Sequence, residues 1–428
     1  MNTATRDFIE SHLKDDVRQL ALQKFPDDVD KVLVLNQIEA RRLLSKKVPS
    51  WASNPDLLFP RHLSIEQCSS ELTAKYKSSI IEGGDTFVDL TGGLGADSYF
   101  LSEKFKTSYY VENQKELCDL AEHNFAVLGR KITVVNSDAE TFLSKNQNFD
   151  LVFIDPARRD IYNRKMVSLH DCSPDVVNLV ETSHGTSLHD ATVMIKLSPM
   201  LDISMITNEL QNISEIHIVS VKNECKEVLV LLRPDYDGGI MIHCINLRQD
   251  LQDLQDNSPK VNNLSVISTE AQRSGDPSAA RAFAAGEKIL FKFKQNDESV
   301  AIPTFATTIK KYLYEPNASI MKSGAFKLIS QRFGIDKLHV NSHLYTSDNL
   351  ISDFPGRIFE VVGFAPFNKK VKKELLRDVN EASVVTRNFP LSANELRKTL
   401  NLKESDENFV FGTTITGEKK VVILCKKI

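Results

Sequence analysis

The sequence predicts an α/β protein. Its centre is a parallel sheet covered by helices, preceded by a helical N-terminal region and followed by a small α+β C-terminal domain. Three observations predict it. Between Thr86 and Ser198, short apolar runs alternate with segments of helical spacing. A glycine-rich turn, TGGLGAD, follows the first of those runs directly. After Pro355 the chain changes to a β-α-β-α-β-β pattern of its own.

Taken in order, residues 1–80 read as helices, with Phe8, Leu13, Val17, Leu20, Leu22 and Phe25 at near-helical spacing. Pro49, Trp51, Pro55 and Pro60 mark a loop. SIEQCSSELTAKYKSSII reads as a further helix, with Ser64 and Gln67 as its capping box. TFVDL (86–90), SYYVEN (108–113), KITVVNSD (131–138), DLVFID (150–155) and ATVMIKLS (191–198) are strands, with helices between. EIHIVSV (215–221) and EVLVLL (227–232) are close enough for an antiparallel hairpin that closes the sheet. The segment 247–300 is irregular and reads as linker with helical pieces. In the last part, RIFEVVGF is a strand and KKVKKELLRDV a helix. EASVVTRNF is a strand, and LSANELRKTL a helix capped by Ser392 and Glu395. FVFGTTI and KKVVILC flank a turn at Thr416-Gly417-Glu418. The organisation expected is 1–80 helical, 81–240 sheet domain, 241–354 connecting α/β region and 355–428 α+β domain.

A chain of 428 residues is too long for one ordinary core. Its formal net charge of −4 gives no global pull toward nucleic acid. The N-terminus is polar and acidic, unlike a secretory signal, and no apolar run approaches the ~20 residues that span a bilayer. The six cysteines are scattered with no Cys-x-x-Cys pair, which fits a reducing cytoplasm and neither a disulfide framework nor a zinc site. His339 and His343 stand at i, i+4 but lack a third ligand at metal spacing, so no metal is expected.

The glycines at 92, 93 and 95 let the backbone turn tightly, and the helix behind them offers free N–H groups. A nucleotide-like cofactor at the carboxyl ends of the strands is the expected tenant. Asp89 precedes the loop. Glu112 ends the next strand, where an acid can accept both ribose hydroxyls, and Asp138 ends the third, within reach of an adenine amino group. A dinucleotide site wants a third glycine where Ser98 stands, and an acid at Asp89 fits poorly beside a pyrophosphate. An acid there suits a cationic ligand such as S-adenosylmethionine (SAM), whose carboxylate the turn's N–H groups can hold.

On these residues the stretch 80–235 resembles the class I SAM-dependent methyltransferases. DLTGGLG resembles their first motif, Glu112 their second-strand acid and Asp138 their adenine-side acid. Thr91 departs from the glycine that many members carry; DLTGGLGAD is closer to the DxTAGLGRD form of a bacterial rRNA guanine-N2 methyltransferase family. The resemblance implies a Rossmann-like sheet with Asp89, Thr91, Gly93, Gly95, Glu112 and Asp138 around SAM.

It also gives a meaning to FIDPARRD, where a buried strand runs into Asp155-Pro156-Ala157-Arg158. In that fold the fourth strand ends beside the transferred methyl, and FIDPAR takes the position of the Asp/Asn-Pro-Pro-aromatic motif of amino methyltransferases. An amino group on a base is a poor nucleophile, so the task is to hold it in line. Asp155 would orient the amine and Pro156 would fix the turn. Arg158 replaces the usual aromatic and can stack on a base or pair with a phosphate. Arg159, Arg164 and Lys165 follow as candidate contacts to substrate phosphates. Lys196, at the fifth strand's tip, could join them. Ser69, Ser70 and Thr73 precede the first strand, where a helix often closes over the cofactor.

Residues 355–428 hold 14 Lys+Arg against 9 Asp+Glu, with five of those positive charges in NKKVKKELLR. YEPNASIMKSGAF (314–326) and VVTRNFPLSANELRKTLNL (384–402) resemble bacterial methyltransferases with a THUMP-like C-terminal domain, which implies an RNA partner, rRNA or tRNA. The reading is a cytoplasmic SAM-dependent methyltransferase acting on a base nitrogen of RNA. Its rivals are a SAM- or RNA-binding protein without catalysis, a methyltransferase of DNA or protein, and a nicotinamide oxidoreductase.

Overall fold

The computed structural model describes residues 1–60, 62–158, 168–181, 190–247 and 289–428. Arg159, Arg164, Lys165 and most of the linker expected over 247–300 lie outside the described residues. No helix among the described residues is long and apolar enough to cross a membrane. The chain divides into two units. Among the described residues, the first holds Met1–Ile216 and Glu227–Gly238, and the second His217–Lys226, Gly239–Asn246 and Ile289–Ile428.

The first unit opens with helices α1 (Thr3–Ser11), α2 (Val17–Ala21), α3 (Lys31–Lys47), α4 (Pro49–Ala52), α5 (His62–Gln67) and α6 (Glu71–Ile80). Asn2, Asp16 and Asp30 cap α1 to α3 through side-chain oxygens that accept backbone N–H groups. The single helix expected from Ser64 onward is two helices. Ser64 lies inside α5, and the cap that matters is Ser70, whose hydroxyl accepts the Thr73 N–H at 3.2 Å to start α6. The break between them leaves Cys68 and Ser69 in non-helical backbone, and Ser69 is buried there.

The sheet strands are β1 (Gly84–Asp89), β2 (Phe105–Glu112), β3 (Thr133–Asn136) and β4 (Leu151–Ile154). After the short pair β5 (Ala157–Arg158) and β6 (Cys172–Ser173) come β7 (Thr192–Leu197), β8 (Ile213–Val221) and β9 (Glu224–Leu232). The order is β3-β2-β1-β4-β7-β9-β8. β3, β2, β1, β4 and β7 are parallel, and β9 runs antiparallel to β7. The expected hairpin is present as β8 and β9, and the division between the units falls within it. All four residues of β4 are buried, which is why that strand is a continuous apolar run. Helices α7 (Ala96–Leu101), α8 (Lys115–Val127) and α9 (Ala139–Leu143) follow β1, β2 and β3. The parallel strands therefore all end on one edge, where such folds bind ligands.

The second unit contains β10 (Met241–Leu247) paired with β11 (Ile289–Lys294), and a seven-stranded sheet. Its strands are β12 (Tyr312–Pro316), β13 (Asp336–Lys337), β14 (Tyr345–Ser347), β15 (Gly356–Pro366), β16 (Ser383–Arg387), β17 (Asn408–Ile415) and β18 (Lys419–Lys427). The order is β13-β14-β12-β15-β18-β17-β16. The Ser392–Glu395 capping box forms, each side chain accepting the other's backbone N–H. The helix in NKKVKKELLR is short, Val371–Leu375. His339 and His343 lie on no helix; His339 is bonded to Glu418, and His343 stacks on Phe326.

Candidate active site

β1 delivers Asp89 to the sheet edge, the residue 1% exposed. One oxygen accepts the Thr91 N–H at 2.9 Å and the Thr91 hydroxyl at 3.3 Å; the other accepts the Ser98 hydroxyl. Burial raises its pKa to about 7 against the pull of those hydrogen bonds. One oxygen is turned onto the loop and the other onto α7, so Asp89 ties the turn to the helix that follows it.

The loop itself needs its glycines. Gly93 and Gly95 have φ of 56° and 85°, the left-handed region. A Cβ at Gly95 would lie 2.8 Å from the Phe125 ring, whereas at Gly93 only the Thr91 carbonyl comes within 4 Å. Gly93 therefore presents an open backbone face.

Glu112 ends β2 half-buried, and its two carboxylate oxygens accept the N–H groups of Gly93 (3.1 Å) and Gln114 (2.9 Å). The glycine turn and the second-strand acid are thus brought together. Asp138 stands two residues past β3, exposed, and one of its oxygens caps α9 through the Thr141 N–H at 2.7 Å. That bond holds its carboxyl below the usual range.

β4 carries Asp155 to the same edge. Its N–H donates to the Thr91 hydroxyl at 2.7 Å. Thr91, the departure from the glycine of the resembling family, therefore joins the first loop to the fourth strand's tip. Asp155 Oδ2 pairs with Lys196 Nζ; among the described residues Oδ1 has no partner, and the side chain is 35% exposed. Pro156 follows at once, and the backbone of Ala157–Arg158 pairs as β5 with β6.

Lys196 reads in the sequence as a residue that could join the arginines in contacting substrate phosphates. Instead it points inward from β7, its side chain 13% exposed. Burial alone would lower its pKa, but Asp155, Asp97 and Glu227 hold it well above the usual lysine range. Behind it lies a cluster that sequence reasoning missed. Lys77, on α6 and fully buried, bridges Asp97 Oδ1 at 3.0 Å and Glu227 Oε1 at 2.9 Å. Ser69 Oγ donates to Asp97 at 2.6 Å and accepts from Lys77 at 3.0 Å and Lys196 at 3.3 Å. Against the cost of burial, Lys77 and Lys196 keep Asp97 below the usual carboxylate range. Of its members only Ser69 stood out in the sequence, in the stretch before the first strand.

A parallel sheet closed by an antiparallel hairpin, with a glycine turn after β1, an acid closing β2 and Asp-Pro after β4, defines a Rossmann-like SAM-dependent methyltransferase. The glycine turn's open face and the Glu112 carboxylate suit SAM, the cofactor of this class. Comparison with known proteins carries this further. The chain is 32% identical to a candidate methyltransferase from Porphyromonas gingivalis W83, covering 99% of this chain and 97% of that one, with a TM-score of 0.80. Residues 312–355 match a ferredoxin-like domain family, and residues 356–427 a THUMP domain-like family. An uncharacterized RNA methyltransferase of Chlamydia trachomatis serovar D is 28% identical over 140 residues; the match spans 31% of this chain and 35% of that protein. The chain belongs to the family of the Porphyromonas protein: SAM-dependent methyltransferases with a THUMP-like C-terminal domain.

Proposed function

We propose that this methyltransferase modifies a base nitrogen of RNA, rRNA or tRNA. The observation that carries the reading is Asp155 at the tip of β4, with one carboxylate oxygen held and the other open. SAM supplies an electrophilic sulfonium methyl when bound. Glu112 accepts the ribose hydroxyls in place of its present backbone donors, Asp138 reaches the adenine amino group, and Gly93 offers the N–H that Glu112 then releases, while Gly95 closes the turn onto Gly92. Asp89 and Thr91 keep that loop in shape.

Asp155 Oδ1 accepts an N–H of the target nitrogen, which aims the lone pair and leaves a base ready for the departing proton. From there the proton passes to water. Pro156 fixes the peptide that follows. Arg158 stacks on the base or pairs with a phosphate, and Arg159, Arg164 and Lys165 contact substrate phosphates. An RNA substrate is supported by the Chlamydia relative, by the THUMP domain-like match and by the basic excess after Pro355. The test is mass spectrometry of modified nucleosides in total RNA from a deletion strain and its parent. One methylated nucleoside lost on deletion and restored by the gene is expected. Identical profiles would contradict the reading.

A further inference from the structure

We infer that Lys196 is a positioning residue for Asp155, and that it must be lysine; the inference rests on the proposed role of Asp155. The strand tip needs one carboxylate oxygen fixed and the other open. Lys196 does this through a single contact to Oδ2, and it is itself anchored by Ser69 at 3.3 Å. The anchor is rigid because Ser69 is buried and also bonded to Lys77 and Asp97. Three separate segments, the α5–α6 break, α7 and β7, therefore set the direction of one side chain on β4. An ammonium is a point donor that can take one oxygen and leave its neighbour. A guanidinium is a fork that takes both.

That difference gives the experiment. Lys196→Arg keeps the charge and the fold, yet its fork engages both oxygens of Asp155 and removes the open acceptor. Turnover should fall at least about tenfold, with SAM affinity by calorimetry within about threefold of wild type. A role limited to charge balance predicts the opposite, because arginine would satisfy the buried acids. Lys196→Met should also lose turnover. In an Asp155→Asn background, where no charge needs orienting, adding Lys196→Met should cost less than about threefold more. Should Lys196→Met fail to fold, the arginine variant still decides. Wild-type turnover in Lys196→Arg, or fully multiplicative losses in the double variant, would overturn the inference. Collapse of Asp155→Ala together with an active Lys196→Arg would overturn only this inference. Full activity in Asp155→Ala would overturn the proposed function beneath it as well.

Discussion

The Thr91 hydroxyl accepts the Asp155 N–H at 2.7 Å and faces Asp89 Oδ1 at 3.3 Å. One side chain thus couples the loop expected to hold the cofactor to the strand tip expected to hold the target. Thr91→Val keeps the shape but leaves the Asp155 N–H without its acceptor, a loss of roughly 1–3 kcal/mol. Urea unfolding should show that loss, and Thr91→Ser should recover most of it. A valine variant as stable as wild type would mean that the bond carries nothing.

Asp89 should make stability depend on pH in the direction unusual for an acid. Its folded pKa of about 7 lies above the ordinary carboxylate value. The folded state therefore binds the proton more tightly, and its contribution is complete below about pH 4 and lost as pH rises through 7. Asp89→Asn cannot ionise. It should match wild type near pH 4 and become more stable than wild type toward pH 8, by up to about 4 kcal/mol. Unfolding free energies measured across that range check this, and a difference independent of pH would refute it.

Glu112→Ala should weaken SAM binding at least about tenfold, since charge-assisted hydrogen bonds of this kind contribute roughly 1.5–3 kcal/mol. Glu112→Gln keeps an acceptor and should lose less. Calorimetry measures both, and unchanged affinity in the alanine variant would remove Glu112 from the cofactor site.

In the second unit, Lys369, Lys370 and Lys373 are exposed, whereas Lys372 donates to the Val379 carbonyl at 2.8 Å. If the first three meet RNA phosphates, replacing two by alanine should lower the salt slope of RNA binding by roughly one to two. SAM affinity should not change. An unaltered slope would make them a solvated face.

The sheet was legible because its central strands β4 and β7 are largely buried, so DLVFID and ATVMIK stand out as apolar runs, and the alternation with helices implies that they run parallel. Asp89, Glu112 and Asp155 were found because each is an acid where an apolar run ends. The environment of those acids was not legible. Asp89 reads as a partner for a cationic ligand, yet its oxygens face Thr91 and Ser98. Lys77 and Glu227 are 150 positions apart and meet only in the fold, and a lysine on a helix ordinarily reads as solvated. The pairing of Lys196 with Asp155 was hidden for the same reason, since the two are 41 positions apart. The helix break at Ser69 was hidden by two serines that each suit a cap, and only Ser70 serves as one.

The central claim is that Asp155 acts on the target nitrogen and not on the cofactor. Its most direct test is methyl transfer from labelled SAM by Asp155→Ala, using RNA from a strain that lacks the protein, alongside calorimetry with SAM. Turnover lower by on the order of 10²-fold or more is expected, with SAM affinity within a few-fold of wild type. Full turnover in Asp155→Ala would contradict the claim, as would a loss of SAM affinity that accounts for the loss of activity.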